Sequence, residues 1–260
     1  MKHIVLLFGM AVACAHSQPA PDTQSRPTLT LSPSVVMAKL KPGEGWTHSL
    51  RMSNMTEGTF RFDVEVEDVV VKDGKRVYVP AGEAESSIAA SAVVTPRSVT
   101  IPPQEQGSVA VTLTIPQQTA LRAVVIYFRG RMDTPKENGT VGLGASLGAL
   151  ITFDLSDDYR LKAVSFNASP QTDTTNQIVT HELVNSGAEV VVPKGATVIL
   201  DESGHSVAKA TFPAYRLLPG ESQAFSATCP LQLKSGHYRV VSSFEFESHI
   251  VTAGGEFSVP

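Results

Sequence analysis

The amino-acid sequence predicts an all-β protein built as two tandem immunoglobulin-like β-sandwich domains. Three observations carry that prediction: apolar residues alternate with a period of two from Thr28 onward, no window shows a helical period, and three local signatures recur in the same order in both halves. The clearest alternation is Phe60, Phe62, Val64 and Val66 interleaved with Arg61, Asp63, Glu65 and Glu67, a strand with one buried and one wet face. Val69–Val71 and Val77–Val79 flank Lys72-Asp73-Gly74-Lys75, and Asp-Gly between β-branched runs favours a two-residue hairpin because both turn positions need positive φ. Val109, Val111, Leu113 and Ile115 alternate with Ala110, Thr112 and Thr114, and Val124–Phe128 and Ala149–Leu155 supply two more strands.

The second half has the same texture. Strands are expected at Leu161–Phe166, Ile178–Asn185, Ala196–Leu200, Gln223–Leu231, Tyr238–Glu247 and Glu256–Val259, separated by Gly187, Gly195, Gly204, Gly220 and Gly236. The first recurring signature is a strand that ends in Asn and turns, at Leu50–Gly58 and again at Glu182–Gly187. The second is an apolar residue and a proline turn ahead of a strand, at Val99–Ser108 and Leu217–Ser222. The third is a loop leading into a strand with a basic residue near its start, at Ala120–Val125 and Gly236–Val241. Two copies of one fold joined near Ser156-Asp157-Asp158 divide the chain into domains 28–155 and 156–260.

Ahead of them, Lys2 and His3 precede an apolar run from Ile4 to Ala15, too short to span a bilayer, which needs roughly 20 residues. It reads as a signal peptide over residues 1–17, followed by a Pro-rich linker over 18–27. A second cleavage frame, Ala11-Val12-Ala13-Cys14, resembles a bacterial lipoprotein box, although Ala11 stands where such boxes usually carry Leu. In that frame the leader is 1–13, Cys14 is a lipidation candidate, and the lipid on it is the one expected membrane attachment. The expected location is periplasmic or extracellular, free or tethered.

With the 1–17 leader removed, Cys229 is the one cysteine left in the mature chain, so no intrachain disulfide forms and two hydrophobic cores must suffice. Its setting, Phe225-Ser226-Ala227-Thr228-Cys229, suits a buried core residue. A net charge of −4, with 18% charged residues and no basic block, argues against nucleic acid as a partner.

The motifs that suggest chemistry are weak. Gly144-Ala145-Ser146-Leu147-Gly148 matches a nucleophile elbow, but Ala149–Leu155 after it reads as a strand where the mechanism needs a helix. His48, His181, His205, His237 and His249 are scattered and read as surface or strand-end residues; no metal-ligand spacing occurs. Asp63, Glu65, Glu67 and Asp68 are expected on a solvated strand face. Asn54-Met55-Thr56, Asn138-Gly139-Thr140 and Asn167-Ala168-Ser169 are glycosylation sequons only in a eukaryotic source. No enzymatic constellation and no cofactor are expected.

The first domain opens with Ser34-Val35-Val36-Met37 and the strand His48–Asn54, carries the Val94–Pro103 segment leading into an alternating strand, and closes with the strand Ala149–Leu155. In these features it resembles the amino-terminal domain of the periplasmic pilus-assembly chaperones. The resemblance implies strand donation to a client polypeptide, with Ile151, Phe153 and Leu155 as the client-binding face. It also implies a basic pair that anchors the client's terminal carboxylate, yet Ser34 or Val35 and Ile151 occupy those two positions. Lys39, Lys41, Arg129 and Arg131 are the candidate substitutes. The expected function is therefore non-enzymatic binding of another exported polypeptide, a fibre subunit or assembly component, by pairing at a sheet edge. The alternative from another class is a structural or adhesive surface protein that uses its domains as spacers or ligand-binding modules.

Overall fold

A computed structural model describes residues 28–136, 139–170, 176–230 and 233–259. The expected leader (1–17 or 1–13), Cys14, the 18–27 linker and Asn138 of the second sequon lie outside the described residues.

The first sandwich contains β1 (Leu29–Ser32), β2 (Val35–Lys39), β3 (Gly45–Asn54), β4 (Phe60–Lys72), β5 (Lys75–Pro80), β6 (Val93–Thr95), β7 (Ser98–Ile101), β8 (Glu105–Thr114), β9 (Ala123–Lys136) and β10 (Gly139–Asp154). One sheet runs β1-β3-β8-β6; the other runs β2-β10-β9-β4-β5, with β7 also paired to β4. Alternation places Leu50 and Met52 of β3, Phe60 and Phe62 of β4, Val109, Val111 and Leu113 of β8, Ile126 and Phe128 of β9, and Ile151 and Phe153 of β10 in one core. Each such side chain contributes about 1.5–3 kcal/mol by leaving water, which is how a domain without a disulfide holds together.

The predicted hairpin forms between β4 and β5: Lys72 pairs with Lys75, and Asp73 and Gly74 adopt φ of 51° and 73°. Two strands are much longer than predicted. Strand β9 extends beyond Phe128 to Lys136, and β10 begins at Gly139, because the two pair continuously from Gly139↔Lys136 to Thr152↔Ala123. Glycines that read as a connection are held extended by their partner strand, so ladder pairing overrides weak β propensity.

The second sandwich contains β11 (Leu161–Pro170), β12 (Gln177–Asn185), β13 (Lys194–Leu200), β14 (Ser206–Phe212), β15 (Ser222–Cys229), β16 (Gly236–Phe246) and β17 (His249–Val259). Its sheets are β11-β12-β15 and β14-β13-β16-β17. Strand β14 was not predicted, and β17 starts seven residues earlier than expected, at His249 rather than Glu256. Both are edge strands whose small residues weaken the alternation signal. Cys229 is fully buried in this core, as expected, and burial raises its thiol pKa.

Two polar expectations need correction. His181 is 1% exposed, enclosed by the rings of Phe166, Phe212 and Phe244 and joined through Nε2 to the Ser242 hydroxyl, which donates to Thr197 Oγ1. Its parity on β12 is that of Val179 and Leu183, which point inward. Asp68 follows Glu67 by one residue and so faces the opposite side, where it is buried and accepts the N–H groups of Ile88 and Ala89 at 3.0 and 2.9 Å.

The domains meet through an apolar contact of Val69, Ala123 and Val125 with Val190 and Leu218. Two buried glutamates of the second domain reinforce it. Glu189 accepts from Arg122 Nε at 2.9 Å, the Leu155 N–H at 3.0 Å and the Ser156 hydroxyl at 2.6 Å. Glu221 accepts from Arg76 Nε and from the Leu218 N–H. The hairpin tip joins in, with Gly74 O accepting the Ser222 N–H at 2.9 Å.

Candidate functional site

Strand β10 is the element whose two ends live in different surroundings. From Leu150 to Thr152 it is paired on both sides, by β9 and by β2, and β2 runs parallel to it in the register Leu150↔Val35 to Asp154↔Lys39. The Leu150 N–H reaches Ser34 O at 2.9 Å, the first bond on the β2 side. Before Leu150, no described strand bonds to that side of β10.

Strand parity then fixes what the open edge offers. The Phe153 N–H points to Arg122 O on the β9 side, so odd residues bond to β9 while even ones turn the other way. Gly144, Ser146 and Gly148 therefore direct their N–H and C=O groups outward along the open edge, as Leu150 directs its own to Ser34. Their side-chain face is bare, whereas the core face continues as Leu147, Ala145 and Leu143, with Leu143 53% exposed. The result is an unpaired ladder beside an apolar row that rises out of the core, the arrangement to which an extended polypeptide adds as a strand.

The predicted client-binding residues lie just beyond this segment. Ile151 and Phe153 are fully buried in their own domain and Leu155 is half-buried, while the backbone at Ile151 and Thr152 is already paired on both edges. The stretch of β10 with one unpaired side is Leu143–Gly148.

Three of the four candidate cations are committed elsewhere. Arg129 bonds Glu65 and Glu67, which raise its pKa, and its guanidinium stacks over Tyr127 at 4.9 Å. Arg131 pairs with Asp63 at 3.6 Å, and Lys39 with Asp157 at 2.8 Å. Lys41 lies on an exposed turn, its backbone N–H held by Glu44.

A cation that the sequence did not single out occupies the cleft between domains. Arg216, on the loop from β14 to β15, is half-buried and sends Nη1 to Thr152 Oγ1 of β10 at 3.0 Å and to Met37 Sδ of β2 at 3.5 Å. Burial lowers its pKa, and among the described residues no carboxylate comes within ion-pair distance. Its contact Met37 and its chain neighbour Tyr215 are 46% and 40% exposed. Thr152 is where the closing strand of the first domain faces the second, so the cation arrives from across the cleft. No local motif marks Arg216, because its position depends on domain docking.

The other motifs resolve simply. Ser146 stands in mid-strand opposite Arg129, with a strand rather than a helix after it. Among the described residues no group of three or more His, Cys, Asp and Glu side chains could hold a metal ion.

No family model and no curated protein matches the chain. Solved structures to which it is similar include the Salmonella enterica SafA pilin in complex with the SafB chaperone, at 13% identity and a TM-score of 0.43, covering 87% of this chain and 96% of that one. The Pseudomonas aeruginosa CupB2 chaperone is similar at 11% identity and a TM-score of 0.42, covering 89% of this chain and 100% of its own. The E. coli chaperone DraB is similar at 14% identity and a TM-score of 0.40, covering 90% and 98%. At these values the likenesses assign no function to this chain.

Proposed function

We propose that this chain is a non-enzymatic assembly chaperone that holds another exported polypeptide by β-strand pairing along the open edge of β10, from Leu143 to Gly148. The observation that carries the reading is the change of state along one strand: β10 is paired on both sides at Leu150–Thr152 and on one side before it, while its apolar row continues outward to Leu143. Ladder hydrogen bonds would supply affinity, and the alternation of Leu143, Ala145 and Leu147 would set register. Arg216 would bind an anionic group of the partner, a terminal or side-chain carboxylate, in place of the absent basic pair. The apolar run Ile4–Ala15 supports export of the chain and hence an exported partner.

Parity supplies a specific test. Ser146→Pro removes an N–H directed at the open edge and leaves the bonds to β9 in place. In affinity capture from the periplasmic extract of source cells, quantified by mass spectrometry, wild type should recover an exported polypeptide that Ser146→Pro loses, and Arg216→Gln should weaken the capture about tenfold. A Ser146→Pro protein with native circular dichroism that recovers the same polypeptide as well as wild type would overturn the reading.

A further inference from the structure

Arg216 has two unlike partners on the first domain. The Thr152 hydroxyl accepts its Nη1 at 3.0 Å and itself donates to Val36 O at 3.2 Å, so that oxygen is fixed in place. The second partner is the Met37 thioether at 3.5 Å, and a thioether sulfur is a weak acceptor. Met37 faces away from the core of its own domain, because Val36 and Ala38 on either side of it pack inward. It is 46% exposed on the edge strand β2 and so open to small solutes.

The other sulfur atoms of the described chain are shielded or lie in another part of the fold. Cys229 is fully buried and its thiol pKa is raised, which makes it unreactive. Met52 is 1% exposed, and Met132 is half-buried with its sulfur against Gly58. Met55 is 41% exposed, on the turn after β3 in the opposite sheet. A thioether needs no deprotonation to act as a nucleophile, so Met37 is the sulfur that both meets an oxidant and touches the cleft cation.

We infer that Met37 is an oxidation site whose sulfoxide caps Arg216 and closes the cleft cation to other anions. The oxidant is a peroxide. A sulfur lone pair attacks one peroxide oxygen, the O–O bond breaks and an S–O bond forms; sulfur loses two electrons, and hydrogen peroxide leaves as water. Two thiols of a reductase reverse the step, giving a disulfide and water. The product carries a strongly polar S=O group where a weak acceptor stood, beside the same Nη1. An incoming carboxylate must then displace that bond. The bond also ties β2 of the first domain to the β14–β15 loop of the second. The consequence for a bound polypeptide rests on the edge-pairing reading; the oxidation and the capping of Arg216 do not.

Hydrogen peroxide treatment of the mature full chain, followed by peptide mass spectrometry, tests the inference. Met37 should convert to the sulfoxide under conditions that leave Met52 reduced. Capture of the exported polypeptide should then fall about tenfold, and return after incubation with a methionine sulfoxide reductase and a dithiol. Met37→Leu, which keeps an apolar side chain of similar volume, should capture equally before and after peroxide. A second measurement needs no partner. The peroxide-induced change in melting temperature should be more positive in wild type than in Arg216→Ala, because only wild type can form the bond from Arg216 to the sulfoxide. A Met37 that stays reduced while Met55 oxidises, an oxidised wild type that captures as well as the reduced one, or equal melting shifts in wild type and Arg216→Ala would each overturn the inference. A reduced wild type that captures nothing would overturn the edge-pairing reading instead, and the melting comparison would still decide on Met37.

Discussion

His181 shows what burial does to a single titratable group. Its imidazole sits among three phenylalanine rings with the Ser242 hydroxyl on Nε2, and loss of solvation lowers its pKa, more than the backbone contact at Ser165 raises it. The folded pKa is therefore below the unfolded one. Below about pH 6.5 the unfolded chain takes up a proton that the folded chain refuses, so stability present at neutral pH is lost as the pH falls. Urea unfolding followed from neutral pH to pH 5 should show the second domain weakening, and His181→Gln should flatten that dependence. An equal slope in the variant would show that other groups dominate.

Two asparagines explain at the same scale why the sequence repeats itself. Asn54 donates to Ile101 O and Pro102 O at 2.9 and 3.1 Å, while its Oδ1 accepts the Thr56 N–H. Asn185 donates to Leu217 O and Glu189 O at 3.0 and 2.7 Å, and its Oδ1 accepts the Gly187 N–H. The strand-ending Asn and the proline turn, legible as two separate signatures, are thus two ends of one buried hydrogen bond in each domain.

Among elements, the β4–β5 hairpin has two duties. Its tip needs the left-handed conformation at Gly74, and a Cβ there would stand 3.2 Å from Ser222 Cβ of the second domain. Gly82 has a similar φ of 86° but open space around it. Gly82→Ala should cost about 1 kcal/mol through backbone strain alone. Gly74→Ala should cost more, measured by urea denaturation, because it also disturbs the domain contact; equal losses would mean the tip does not matter to docking. Strand β10 teaches the complementary lesson. Its Gly144-Ala145-Ser146-Leu147-Gly148 segment reads as a connection or a chance elbow, and only pairing with β9 makes it a strand with an open side.

In the whole molecule the joint couples the two cores. Glu189 is wholly buried and holds Arg122, the Leu155 N–H and the Ser156 hydroxyl, so removing it strands a guanidinium that is 10% exposed. Glu189→Ala should lower stability by about 3–5 kcal/mol. Trp46, the one tryptophan, lies in the first domain, so its fluorescence reports that domain while far-ultraviolet circular dichroism reports both. The two thermal transitions should coincide in wild type and separate in Glu189→Ala. Coincident transitions in the variant would show that the apolar contact alone couples the domains.

The sequence by itself determined the all-β class, the hairpin at Asp73-Gly74, the alternating core residues of β4 and β8, and the tandem character, because each depends on local periodicity or turn chemistry. It could not locate the open edge, because which side of β10 lacks a partner depends on where β2 stops pairing. Nor could it find Arg216, whose place against Thr152 and Met37 exists only once two distant segments dock. Burial of Ile151 and Phe153 was decided at the same level: alternation states which residues share a face, and only tertiary packing states whether that face is covered by its own domain or left for another chain.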